Sequence, residues 1–282
     1  MAPPRVLTTA REAAEFAEST RRAGRRLALV PTMGYLHEGH VSLMAEARAR
    51  ADVVAVSIFV NPTQFGPSED LARYPRDLEG DLKSCARAGV DVVFHPEAAE
   101  VYPPGHQTFV EVVELSRGLC GARRPGHFRG VATVVAQLFA LFRPHLAVFG
   151  EKDYQQLLVV RRLAQDLHLG VEGLGMPILR EADGLAMSSR NAYLSTSERR
   201  RALALHGGLS AARALFAKGK ASAGLLSEAV REALRREDVR EDYVALVDSQ
   251  TLVEEAQATA SSRLLVAAFV GATRLIDNVG LG

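Results

Sequence analysis

The sequence predicts an α/β fold: an open parallel sheet with helices on both faces, followed by a smaller α+β domain. Three observations predict it. Strand-like and helix-like segments alternate from Leu27 to Leu167. Val53–Val60, VVAVSIFV, is apolar on both faces, as expected of a strand buried in a parallel sheet. After Pro177 the β-α alternation gives way to two helical stretches followed by strands. A β-α-β-α order implies right-handed crossovers, and so a Rossmann-like sheet.

Taken in order, Leu27–Val30 is an apolar strand that stops at Pro31. Val41–Ala51, rich in Ala, Leu, Met, Glu and Arg, is a helix. Val53–Val60 is the second strand. Glu69–Ala88 has helical composition and ends at Gly89, a suitable residue just past a helix. Val90–His95 is a short strand, and Pro103–Gly126 is irregular. Gly130–Phe142 is a buried helix stopped before Pro144, His145–Phe149 is the fourth strand, and Tyr154–Leu167 is again helical. Beyond Pro177, Ser195 and Glu198 form a capping-box pattern for a helix reaching about Leu215. Lys218-Gly219-Lys220 breaks it, and Ser222–Arg236 resumes. Tyr243–Val247 and Arg263–Val270 are strands, the second continuing toward Leu275. The expected domains are 1–177 and 178–282, the second closing over a site on the first. Gly173-Leu174-Gly175 does not complete a dinucleotide fingerprint and is given no cofactor role.

Composition narrows the function classes. With 34 Lys plus Arg against 33 Asp plus Glu, the net charge of +1 gives no support to a nucleic-acid partner, though it allows a local basic pocket. Cys85 and Cys120 are too few and too far apart for a disulfide framework, which suits a reducing compartment. The first residues, MAPPRVLTTAREAAEF, lack the apolar run of a secretory signal. The longest apolar segment, Val131–Phe142, is too short to span a bilayer and contains Gln137. The expectation is a cytoplasmic protein with no membrane partner.

Ligands in open parallel sheets bind beyond the carboxyl ends of strands. Segments 31–40, 61–65 and 150–156 all fall there. The first contains His37-Glu38-Gly39-His40. Two imidazoles at i, i+3 share one helical face, Gly39 permits close approach to the backbone, and a helix N-terminus attracts anions. Together these predict a phosphate-binding corner in an enzyme that handles a nucleoside triphosphate. A zinc site would need a third and fourth ligand, and the nearest Cys and Asp form no recognisable set. Asn61-Pro62 favours a turn, and the uncharged amide of Gln64 suits orientation of a hydroxy acid. Lys152, at a strand's carboxyl end, suits phosphate as a point charge, while Asp153 either caps the next helix or touches ligand. Met187-Ser188-Ser189-Arg190-Asn191 reads as a polar loop or as a segment closing over a triphosphate. Asp183-Gly184 before it marks a turn about which it could move. Arg123 to Gly130 is very basic, either a solvated loop or one that brings cations toward an anionic substrate. Asp77 and Asp81 read as solvated acids on a helix, with a reach to metal as the other reading.

Five blocks, in order, carry a resemblance. PTMGYLHEGH (Pro31–His40), FVNPTQF (Phe59–Phe65), RPGHFRGV (Arg124–Val131), FGEKDYQQ (Phe149–Gln156) and DGLAMSSRN (Asp183–Asn191) resemble the pantoate–β-alanine ligase (pantothenate synthetase) family. The resemblance implies an HxGH nucleotidyltransferase fold akin to class I aminoacyl-tRNA synthetases, with MSSRN where those enzymes carry KMSKS. It implies a cytoplasmic homodimer that uses ATP with Mg²⁺ to join pantoate and β-alanine through a pantoyl adenylate. By the same resemblance His40, His37 and Lys152 are catalytic. Met33, Gly34, His37, His40, Gly150, Glu151, Lys152, Asp153, Leu179, Met187, Ser188, Ser189 and Arg190 hold ATP, and Gln64 and Gln156 hold pantoate, with Gln64 near the incoming amine. No protein ligand of Mg²⁺ is assigned. Three other readings are weighed. A cytidylyltransferase is opposed by NPTQF and EKDYQQ, and a truncated tRNA synthetase by the balanced charge. A non-catalytic nucleotide-binding regulator is opposed by the joint presence of His37, His40, Lys152 and Arg190.

Overall fold

The computed structural model describes residues 3–67 and 69–282. In chain order the elements are β1 (Arg5–Leu7), α1 (Ala10–Arg22), β2 (Leu27–Thr32), α2 (Glu38–Arg50), β3 (Val53–Ile58), α3 (Leu78–Arg87), β4 (Val92–Phe94) and α4 (Ala98–Val101). Then come α5 (Leu119–Arg123), α6 (His127–Phe142), β5 (Leu146–Gly150), α7 (Tyr154–Asp166), β6 (Glu172–Met176), α8 (Thr196–Ala217), α9 (Ala223–Arg236), β7 (Arg240–Asp248), β8 (Ser262–Val270) and β9 (Thr273–Gly280). Short 3₁₀ turns lie at Pro62–Gln64, Leu71–Arg73, Glu151–Asp153 and Ser189–Tyr193. Two compact units result. The first comprises the described residues through Ser116 with Arg124–Glu151 and Gln156–Pro177, and the second comprises Arg117–Arg123, Lys152–Gln155 and Ile178–Gly282.

The first unit is built on a six-stranded parallel sheet in the order β1-β4-β3-β2-β5-β6. Successive strand residues point to opposite faces. Ala28, Val30, Val54, Val56 and Val93 pack with Leu43, Met44 and Ala47 of α2 and Cys85 of α3. Phe94, next to Val93, turns to the other face and meets Phe142 of α6 edge-on at 5.7 Å. Helices therefore cover both faces, which is why Val53–Ile58 is buried at every position.

The second unit is a three-stranded antiparallel sheet, β7-β8-β9, with α8 and α9. Leu205 and Leu209 of α8, and Leu226, Val230 and Leu234 of α9, share a core with Val244, Leu264, Val266 and Ala268 of the strands. The capping box of α8 forms as the sequence implies: Glu198 N–H donates to Ser195 Oγ at 3.3 Å, and Ser195 N–H to the Glu198 carboxylate at 2.9 Å.

The structure adds to and corrects the element reading. β1 and α1 precede the first expected strand, and α1 starts on a second capping box, Thr9 with Glu12. The helix expected over 69–88 is a 3₁₀ turn followed by α3. Pro75 disfavours helical backbone at Tyr74, and Asp77 restarts the helix by accepting from Gly80 N–H at 3.0 Å. β6 is an additional edge strand whose glycines admit a close neighbour: a Cβ on Gly175 would lie 2.6 Å from Leu157 Cδ2 of α7. The strand expected to run toward Leu275 is two strands, β8 and β9, reversed at Gly271, where φ is +58°.

Candidate active site

In the first unit β3, β2 and β5 are adjacent and parallel, so the segments that follow them leave the sheet at one edge. The chain order reverses there, since β3 lies on one side of β2 and β5 on the other. Such a switch point opens a crevice beyond the strand ends. Met33, Gly34, His37 and His40 follow β2, Gln64 follows β3, Gly150 ends β5 and Glu151 follows it, with Gln156 in the first turn of α7.

Residues 34–36 are an irregular link between β2 and α2. Gly34 and Tyr35 both adopt left-handed backbone, at φ +84° and +53°. Asp81 of α3, 3% exposed, holds them: its carboxylate accepts Tyr35 N–H at 2.8 Å and Leu36 N–H at 2.6 Å. A Cβ on Gly34 would lie 2.9 Å from that carboxylate, so the turn requires glycine. Burial pushes the Asp81 carboxyl above its ordinary value, against the pull of the two N–H bonds. Asp81 is thus a buried anchor for the link rather than a solvated acid, and Asp77 is a helix cap. Sequence spacing carries no signal for a contact spanning 45 residues.

His37 is the N-cap of α2 and His40 its third residue, with ring centroids 4.0 Å apart. His40 Nδ1 accepts from His37 N–H at 3.3 Å, which leaves the proton of a neutral His40 ring on Nε2 as a donor. The helix thus starts with two imidazoles in contact, their planes tilted by 38°, on its N-terminal turn. Among the described residues, no group of three or more His, Cys, Asp or Glu is arranged to hold a metal ion.

Gln64 is 8% exposed. Its side-chain Nε2 lies 2.9 Å from Met33 Sδ, which joins the second segment to the first, and its Oε1 accepts from Asn61 Nδ2 at 3.2 Å. Asn61, 1% exposed, is fixed in turn by Tyr102 Oη at 2.9 Å and by the Gly130 carbonyl at 3.1 Å. The basic segment 124–130 also turns inward. Arg124 makes a two-pronged ion pair with Glu69 at 2.7 and 2.6 Å, and it donates to the Gln64 carbonyl at 3.2 Å. Burial pushes the Glu69 carboxyl up, but the hydrogen bonds and charge of Arg124 outweigh it and leave the group below its usual value. His127 is buried against the same carbonyl at 2.8 Å. Arg124 and His127 are therefore neither a solvated loop nor bare cations. The sequence singled out this basic segment but left its role open, because the target is a backbone oxygen, which any residue supplies.

In the second unit, Leu179 to Met187 form a hairpin. Met187 N–H donates to the Leu179 carbonyl at 3.0 Å, Arg180 bridges Ala186, and the turn passes through Gly184 at φ +94°. Ser188 caps the following 3₁₀ turn by accepting from Arg190 N–H at 3.3 Å, and Ser189 is buried. Several ties fasten the segment. Arg180 pairs with the buried Asp277 at 2.7 and 2.9 Å, Arg199 pairs with Glu181 at 2.6 Å and Asp183 at 2.8 Å, and Asn191 donates to Glu181 at 2.8 Å. Leu179 is exposed, Met187 and Arg190 half-buried. Lys152 has only 18% of its side chain exposed, with its ammonium 4.0 Å from the Asp153 carboxylate, and its carbonyl accepts from Asn278 at 3.1 Å. Arg123 lies 3.5 Å from Asp242.

The comparisons with known proteins agree with one another. A sequence model of the family described as Pantoate-beta-alanine ligase matches residues 5–280. The chain is 62% identical to a pantothenate synthetase of Myxococcus xanthus over 99% of this chain and 97% of that protein. Its structure is similar to the crystal structure of pantothenate synthetase from Thermus thermophilus, with a TM-score of 0.93 and 47% identity, covering 98% of this chain and 99% of that one. It is also similar to the pantoate-beta-alanine ligase of Francisella tularensis complexed with beta-gamma ATP and beta-alanine. There the TM-score is 0.81 and the identity 30%, covering 99% and 98% of the two chains.

Proposed function

The chain belongs to the pantoate–β-alanine ligase family, and we propose that the residues converging on its sheet edge carry that reaction. It is an ATP-dependent ligase that condenses pantoate with β-alanine to pantothenate, releasing AMP and pyrophosphate. A carboxylate cannot acylate an amine directly, because oxide is a poor leaving group. ATP removes the obstacle. The pantoate carboxylate attacks the α-phosphorus, the bond to the β-phosphate oxygen breaks, and pyrophosphate leaves. The β-alanine amine then attacks the acyl carbon of pantoyl adenylate, AMP departs, and the amine loses a proton.

Negative charge moves onto the phosphate oxygens in the first step, so the protein's task is positioning and charge stabilisation. The observation that carries the assignment is the start of α2, where the His40 hydrogen bond from His37 N–H turns Nε2–H into a fixed donor at a helix N-terminus. His40 and His37 would donate to phosphate oxygens, and Lys152 would supply a full positive charge. Met33, Gly34, Gly150, Glu151, Asp153, Leu179 and Met187 to Arg190 are the proposed nucleotide contacts. Gln64 and Gln156 are the proposed pantoate contacts, with Gln64 also near the amine. Mg²⁺ would neutralise phosphate charge. Its ligands would be chiefly phosphate oxygens and water. The chain would act as a cytoplasmic homodimer; among the described residues, no helix is long and apolar enough to cross a membrane.

The test is exchange of labelled pyrophosphate into ATP. Exchange that requires pantoate, followed by AMP release when β-alanine is added, supports the assignment. Exchange driven by an amino acid instead, or ATP binding with no exchange under any acid, overturns it.

A further inference from the structure

We infer that His127, Arg124 and Glu69 are positioning residues that set the affinity for pantoate by clamping the backbone carbonyl of Gln64. The inference rests on the proposed role of Gln64 as a pantoate contact.

The atoms leave one arrangement for the His127 ring. Its Nδ1 lies 2.8 Å from the Gln64 carbonyl, which can only accept, so Nδ1 carries a proton and donates. Its Nε2 lies 3.1 Å from Arg124 Nη1, which can only donate, so Nε2 accepts. The ring is neutral and in a single tautomer. Arg124 adds a second bond to the same carbonyl at 3.2 Å, and Glu69 holds the other side of the guanidinium with both carboxylate oxygens. The chain of contacts runs from Glu69 through Arg124 and His127 to one oxygen.

That oxygen ends the 3₁₀ turn Pro62–Gln64. Two donors on it fix the peptide plane after Gln64, and with it the direction in which the Gln64 side chain leaves the backbone. The start of α6 is pressed onto the same turn: a Cβ on Gly130 would lie 2.5 Å from the Thr63 carbonyl. Segment 124–130 thus acts on the site through residues 61–64. The Arg124 guanidinium is already engaged by Glu69, and that of Arg129 lies over the Phe109 ring, 4.1 Å from its centre. The segment's contribution is therefore geometric rather than a positive charge offered to substrate.

Steady-state kinetics of the full chain, with pantoate and ATP varied in turn, test this. His127→Ala should raise the KM for pantoate about tenfold, the scale of one lost buried hydrogen bond, with the KM for ATP and kcat within about threefold. His127→Asn, whose amide N–H can replace Nδ1–H, should recover most of that loss. Glu69→Gln, which loosens Arg124 without touching the ring, should shift the same KM by about threefold. Gln64→Ala should raise the pantoate KM, and adding His127→Ala to it should change little further, because the clamp then has nothing to aim. An unchanged pantoate KM in Gln64→Ala overturns the role of Gln64 itself. A raised KM there with additive effects in the double variant, or a His127→Ala loss shared equally by ATP and pantoate, overturns the clamp alone.

Discussion

Replacing Asp81 with alanine removes the two acceptors that hold the link before α2. The Tyr35 and Leu36 N–H groups, now bonded at 2.8 and 2.6 Å, would face a cavity. Leaving a buried donor unsatisfied costs about 1–3 kcal/mol, so two cost about 2–6 kcal/mol. Two effects reduce the total. The variant no longer buries a carboxylate whose charged form is disfavoured there. Tyr35 can also leave its left-handed backbone at φ +53°, a conformation that itself costs about 1–3 kcal/mol. The net expectation is about 2–3 kcal/mol, expressed first as local opening of residues 34–36. Amide hydrogen exchange reads this directly: exchange at Tyr35 and Leu36 should accelerate roughly 30- to 150-fold, while β4 amides keep their protection. Pantoate-dependent pyrophosphate exchange should fall with it, since His37 is the next residue along. Asp81→Asn, which keeps one oxygen, should fall between. Protection at Tyr35 and Leu36 unchanged within about threefold in Asp81→Ala would falsify the anchor.

Three further outcomes are expected. Lys152→Ala should lose about 2–4 kcal/mol of transition-state stabilisation, the scale of one preorganised donor, read as a fall in kcat for adenylation; near-normal adenylation removes Lys152 from the mechanism. Asp277→Asn leaves Arg180 facing a neutral amide at a buried site and should cost about 3 kcal/mol in urea unfolding; a loss below about 0.5 kcal/mol would mean that the pair does not hold the 179–187 hairpin. In acid, Glu181 and Glu69 have folded-state pKa values below the ordinary 4.5, so the stability they supply is complete above that value and lost as pH falls through the folded ones. Asp81 has the opposite sign: its raised folded pKa means that protonation relieves the fold as pH falls toward the ordinary 3.8. Asp81→Asn lacks that relief, so its stability deficit against the parent should widen between neutral pH and about pH 4.5. A deficit that narrows over this interval contradicts the burial argument.

The sequence spoke clearly where a pattern is local and repeated. VVAVSIFV announces a strand covered on both sides, and Ser195 with Glu198 announces a helix start. HEGH announces a helix whose first turn carries two imidazoles. It was silent where one residue serves two demands. The glycines of Glu172–Met176 lower strand propensity but let α7 approach, so the edge strand left no β signature. FVGATRLI stays largely apolar through the reversal at Gly271, so β8 and β9 read as one strand. Thr9 and Glu12 carry the same capping signature as Ser195 and Glu198, and it starts α1. The proposed ligand contacts were legible as types of side chain at strand ends. What orients them was not, because the partners are backbone atoms tens of residues away.

That last gap has a physical cause shared by both units. A helix, or a strand paired in a sheet, has its backbone groups satisfied by regular structure, whereas a loop that must expose side chains to a substrate does not. Something else must hold it, and in this chain buried polar side chains do so. Asp81 takes the N–H groups of Tyr35 and Leu36, His127 and Arg124 take the carbonyl of Gln64, and the Arg180–Asp277 pair anchors the hairpin before Met187. Asp81 lies in α3, His127 is the first residue of α6 with Arg124 just before it, and Asp277 lies in β9, so each tie joins a loop to a regular element or the residues that lead into one. Holding a loop with one or two strong bonds makes its geometry sharp but leaves little redundancy, since no neighbouring ladder of bonds takes over when a tie is lost. Substitution at these anchors should therefore impair catalysis more than its effect on global stability suggests, whereas loss of an equal free energy in the strand core should do the reverse.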